Sequence, residues 1–140
     1  MTDQAEGIKY YPTVLIAEDD TPLRKLIIAI LYRDGYRFVE AENGSDAIDI
    51  LESFSGELAV ALIDLKMPVV DGLTLVRLIK QDPKRAETRI VGISAHAEQE
   101  ADALLAGCDA FLKKPFKPEE LTNMIGQLAG RSQDSDSREK

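Results

Sequence analysis

The chain has 140 residues, enough to bury one real hydrophobic core and too few for two full domains. Its composition, 44% hydrophobic and 30% charged, is that of an ordinary globular protein and excludes a fibrous or wholly unstructured chain. With 17 basic against 25 acidic residues the formal charge is -8, which argues against non-specific binding to nucleic acid or anionic membranes, since both need a basic face.

Cys108 is the single cysteine, so the chain can form neither an internal disulfide nor a cysteine-only metal site. A small, partly buried thiol in a reducing cytoplasm is the expectation. Residues 1–7 lack a basic stretch followed by an apolar one, which argues against a secretory signal. The longest apolar runs, such as residues 26–32, fall far short of the about 20 that a membrane helix needs. Residues 1–12 read as a polar extension, and the tail from 130 to 140 as disordered, because residues 131–140 contain no hydrophobic side chain. A folded domain over 13–129 remains.

Within it, Val14-Leu15-Ile16-Ala17 is a short apolar run that ends in acids. Leu23, Leu26, Ile27, Ile30 and Leu31 follow at three- and four-residue steps, which predicts a helix with one buried face, stopped at Asp34-Gly35. Phe38-Val39 begins a second strand, closed by Asn43-Gly44, and Ala47, Ile48 and Leu51 mark a second helix. Residues 59–63 form a third strand, apolar on both faces. Leu75, Leu78 and Ile79 predict a third helix ending near Asp82-Pro83. The fourth strand is Ile90 to Ile93, followed by an alanine-rich helix ending at Gly107, and Ala110-Phe111-Leu112 is the fifth. Pro118-Glu119-Glu120 opens the last helix, whose stripe is Leu121, Met124, Ile125 and Leu128. Alternating strands and helices, with strands apolar on both faces, predict an α/β fold: a five-stranded parallel sheet covered on each side by five helices.

Ligands of such open sheets bind beyond the carboxyl ends of the strands. Here the first strand ends in Glu18-Asp19-Asp20, the third in Asp64 and the fourth in Ser94, and the fifth runs into Lys113-Lys114-Pro115. Each group alone has an ordinary reading: solvated loop, helix cap, turn, exposed pair. Their joint placement on one sheet edge points instead to chemistry. Converging carboxylates repel and raise one another's proton affinity unless a cation neutralises them, and hard oxygen ligands suit Mg²⁺. A lysine and a hydroxyl beside them supply donors for a phosphoryl group. That set fits phosphoryl transfer to a carboxylate, with Asp64 as nucleophile.

The segments VLIAEDDTPLR (14–24), ALIDLKMPVVDG (61–72), VGISA (91–95) and GCDAFLKKPF (107–116) closely resemble the receiver domains of two-component response regulators. The resemblance covers about residues 13–128 and implies a flavodoxin-like, doubly wound sheet of order 2-1-3-4-5. It implies Glu18 and Asp19 as the acid pair of a Mg²⁺ (or Mn²⁺) site, with Asp64 and the Lys66 backbone carbonyl as further ligands. Asp64 becomes the phosphoacceptor, Ser94 the hydroxyl and Lys114 the lysine that bind the phosphoryl group, and Phe111 the aromatic that follows phosphorylation. A cis peptide at Lys114-Pro115 is implied as well. Glu18 and Phe111 stand where aspartate and tyrosine are commoner, Lys66 adds a cation two residues past the acceptor, and Ala95 leaves the approach open.

The partners so implied are a sensor histidine kinase or histidine phosphotransfer protein, and a downstream protein target. The polar tail is too short for a DNA-binding helix pair, so neither nucleic acid nor membrane is an expected partner. A monomer or weak homodimer is expected, self-modifying and without turnover of an external substrate. A Mg²⁺-dependent hydrolase with an aspartyl nucleophile would need an acid where Lys66 stands. A phosphorylation-independent module on the same fold, and the receiver portion of a hybrid kinase, remain open. His96, the one histidine, reads as an exposed residue at a helix start.

Overall fold

The computed structural model describes residues 11–130; all but the first residue of the expected tail and all but the end of the N-terminal extension lie outside the described residues. Five strands alternate with five helices: β1 Thr13–Ala17, α1 Thr21–Arg33, β2 Arg37–Ala41, α2 Gly44–Ser53, β3 Val60–Asp64, α3 Gly72–Gln81, β4 Arg89–Ser94, α4 Glu100–Ala106, β5 Ala110–Lys113 and α5 Pro118–Ala129. The strands form one parallel sheet in the order β2-β1-β3-β4-β5. Register aligns Ala17 with Ile63, Asp64 with Ile93, and Ser94 with Lys113, so the carboxyl ends of β1, β3, β4 and β5 share one edge.

The two-residue period of the strands divides the core into two layers. Leu15, Ala17, Ala61, Ile63 and Ile90 pack against α2, α3 and α4 through Ala47, Leu51, Leu75, Val76, Ile79 and Ala103. Val14, Ile16, Val60, Leu62, Val91 and Ile93 face the other way and meet Ile27, Ile30 and Leu31 of α1 with Leu121 and Ile125 of α5. Every residue of β3 is buried, which explains its unbroken apolar run and places Asp64 at the mouth of the best-covered strand.

Helix starts follow the capping chemistry. Asp20, Asn43 and Asp71 cap α1, α2 and α3 with side-chain oxygens, and Glu120 accepts from the Lys117 backbone N–H at 2.7 Å. Two features depart from the periodicity. Leu26 is 45% exposed while Arg24, 5% exposed, turns inward, because its guanidinium finds Glu40 at 2.9 Å and the Glu18 carbonyl at 2.7 Å. Leu78 points outward, and a 3-10 turn over Ala97–Gln99 precedes α4, where a continuous helix was expected. The Lys114–Pro115 peptide is cis. Among the described residues, no helix is long and apolar enough to cross a membrane.

Candidate functional site

Where β1 ends, the chain separates three consecutive acids into different duties. Asp20 faces α1, its carboxylate accepting from the Leu23 N–H at 3.0 Å. Glu18 turns inward and is fully buried, its backbone N–H bonded to the Ala41 carbonyl at 3.2 Å. Asp19 is exposed at the mouth. Carboxylate oxygens of Glu18, Asp19 and Asp64 all lie within 4.8 Å of one another.

Asp64 is 3% exposed and fixed from three sides. Its Oδ1 accepts from the Lys66 N–H at 3.0 Å, and its Oδ2 lies 3.6 Å from Lys114 Nζ. Behind it, Gly72 packs so tightly that a Cβ there would fall 2.3 Å from the Asp64 carbonyl oxygen and 2.5 Å from Leu65 Cα. Lys114 also reaches Glu18 Oε1 at 3.3 Å, so one ammonium serves both buried carboxylates.

One cation does not balance them. Burial, with Asp64 alongside, pushes the Glu18 carboxyl up to about 8, and burial raises the Asp64 carboxyl as well. The sequence suggested mutual repulsion as the cause; loss of hydration is the larger one. Glu18 Oε1 is buried without a hydrogen-bond partner. A buried oxygen met only by a shared ammonium, inside a cluster of carboxylates, fits a hard divalent cation such as Mg²⁺ or Mn²⁺.

Ser94 sits at the end of β4, 1% exposed, its hydroxyl accepting from the His96 N–H at 2.9 Å and donating to the Gln99 side chain. Its carbonyl accepts the Lys114 N–H at 2.8 Å, which ties the β4 and β5 ends together. The structure therefore gathers Glu18, Asp19, Asp64, Lys66 and Lys114 around one point and puts Ser94 on the same edge. Phe111 stands apart, half-buried on β5 against the α2–α4 layer. His96 is exposed and precedes the 3-10 turn, and Cys108 is buried, its thiol pushed up to about 11 by that burial.

Sequence reasoning missed two residues here. Arg24 looks like the polar side of a helix, and only the inward carbonyl of Glu18 reveals its place. Gln99 has no motif at all; its bond to Ser94 depends on a turn that no periodicity announces.

Known proteins resemble this arrangement closely. The chain is 35% identical to the chemotaxis protein CheY of Bacillus subtilis, over 81% of this chain and 94% of that protein. It is 31% identical to the phosphate regulon transcriptional regulatory protein PhoB of Pseudomonas aeruginosa over 89% of this chain, but spans only 55% of that relative's length. Among solved structures, the receiver domain of a Pseudomonas aeruginosa sensor histidine kinase, holding a magnesium ion in its active-site cleft, matches with a TM-score of 0.78 and 28% identity, over 86% of this chain and 99% of that one. The model of the response regulator receiver domain matches residues 14–126, almost the whole of the five-stranded unit. This chain belongs to the response regulator receiver domain family of two-component signalling, whose members stand in regulators and in hybrid kinases alike.

Proposed function

We propose that the chain is a phosphoacceptor: a cytoplasmic receiver that takes a phosphoryl group from a phosphohistidine donor onto Asp64 and so switches a protein-interaction face. The observation that carries this reading is the convergence of Glu18, Asp19 and Asp64 within 4.8 Å beside the ammonium of Lys114. Mg²⁺ or Mn²⁺, held by Glu18, Asp19, Asp64 and the Lys66 backbone carbonyl, supplies charge neutralisation for the acids and the incoming phosphoryl oxygens.

The residues of the chain supply the rest. An Asp64 carboxylate oxygen attacks phosphorus while the phosphorus–nitrogen bond to the donor imidazole breaks, its electron pair staying on nitrogen. The Lys66 N–H orients the carboxylate by holding Oδ1, leaving the other oxygen free to attack. Lys114 stands 3.6 Å from that second oxygen, placed to offset the charge the phosphoryl brings. Ser94 turns its hydroxyl to a phosphoryl oxygen, and Phe111 repacks in response, a shift between two packings of one fold. The chain is its own substrate, and it has no second carboxylate at position 66 to serve as the acid-base group of a hydrolase.

Intact mass after incubation with Mg²⁺ and acetyl phosphate tests the proposal. The wild type should gain one phosphoryl group only with metal, and Asp64→Ala should gain none. A folded wild type that gains nothing overturns it and favours a binding module independent of phosphorylation.

A further inference from the structure

A hydroxyl has one proton to donate. That of Ser94 is committed to the Gln99 side-chain oxygen, while its lone pair takes the His96 N–H. Ser94 is 1% exposed, so both bonds are made away from bulk water, where a lost partner is costly. The backbone is held separately, by the Lys114 N–H on the Ser94 carbonyl and by register with Lys113. Hence the hydroxyl can leave Gln99 by rotation about one side-chain bond without disturbing the sheet. Gln99 is half-buried on its 3-10 turn and also borders a cleft with Leu65, Lys66 and Asp71, on the loop that follows the acceptor.

We infer that Gln99 is a latch: a positioning residue that competes with the phosphoryl group for the Ser94 hydroxyl and so holds back the switch. The inference rests on the reading above, in which Asp64 is the acceptor and Ser94 binds its phosphoryl group. One proton cannot serve Gln99 and a phosphoryl oxygen together. The more firmly Gln99 holds it, the smaller the fraction of molecules ready to bind, and apparent affinity falls by that fraction. Losing one neutral hydrogen bond should release about a three- to tenfold gain.

The test is the affinity of the full chain for beryllofluoride, a phosphoryl mimic, at fixed Mg²⁺, followed by ¹⁹F NMR. Gln99→Leu, which removes the acceptor, should bind about three- to tenfold more tightly with Mg²⁺ affinity unchanged. Gln99→Glu, which keeps an acceptor, should bind no more tightly than wild type. In a Ser94→Ala background Gln99→Leu should bring no gain, since the latch then has nothing to hold. Without metal, side-chain couplings should report one Ser94 rotamer in the wild type and averaging in Gln99→Leu. Unchanged or weaker binding by Gln99→Leu, a gain that survives Ser94→Ala, or an unaltered rotamer each overturn the latch alone. A wild type that neither binds beryllofluoride nor gains a phosphoryl group from acetyl phosphate overturns the receiver reading and the latch together.

Discussion

Glu18 shows what a single buried carboxyl does to a whole protein. Its folded proton affinity, near 8, lies above the ordinary 4.5, so the folded state holds this proton more tightly than the unfolded one. The stability it contributes is present below about pH 4.5 and is lost as pH rises towards about 8, and Asp64 shifts in the same direction. Metal-free protein should therefore melt at lower temperature at about pH 8 than at about pH 5, and Glu18→Gln should flatten that slope in a calorimetric scan. Mg²⁺ bound at Glu18 as proposed would displace the same proton, so its affinity should rise with pH over this window, by up to about tenfold per unit, with protons released in titration calorimetry. At this scale the sequence was legible where a residue's place follows from a strand end, as for Asp64 and Lys114, which the fold brings to 3.6 Å from each other. It was silent where the role comes from a partner distant in sequence: Arg24 reads as helix surface until it meets the Glu18 carbonyl and Glu40.

The β3–α3 loop and the start of α3 form the element on which the placement of Asp64 depends. Val69 is 90% exposed with φ of 71°, a left-handed conformation that a β-branched side chain adopts only under strain. Val69→Asn, which tolerates that geometry, should stabilise the protein by about 0.5–1 kcal/mol in urea titration. Gly72 behaves oppositely. A methyl group there meets the backbone of Asp64 and Leu65, which cannot move aside as a flexible side chain would. Gly72→Ala should cost about 1–3 kcal/mol and lower labelling of Asp64 as well, since the clash displaces the acceptor's own carbonyl. The helices were readable from their apolar spacing and caps, yet Leu26 and Leu78 face outward, outside the stripe that each helix buries. Spacing gives a stripe, and packing decides its width.

Across the molecule, the carboxyl edge of the sheet carries the acids and the amino edge carries a different device. Arg85, 5% exposed on the 3-10 turn Pro83–Arg85, donates to the carbonyls of Gly56, Leu51 and Phe54, tying the approach to β3 to the approach to β4. Arg85→Met should cost about 2–4 kcal/mol in urea titration, yet accept phosphoryl on Asp64 as the wild type does. The parallel α/β class was legible from apolar strands alternating with helices, whereas strand order needed a family likeness, because spacing along a chain does not say which strands are neighbours. At the seam between β4 and β5 the Lys114 N–H grips the Ser94 carbonyl. With the main chain pinned, the proposed response of the serine would be a single side-chain rotation, and such rotations are far quicker than rearrangements of whole domains. Output would then track label occupancy moment by moment, a circuit without hysteresis whose memory lasts only as long as the acyl phosphate itself.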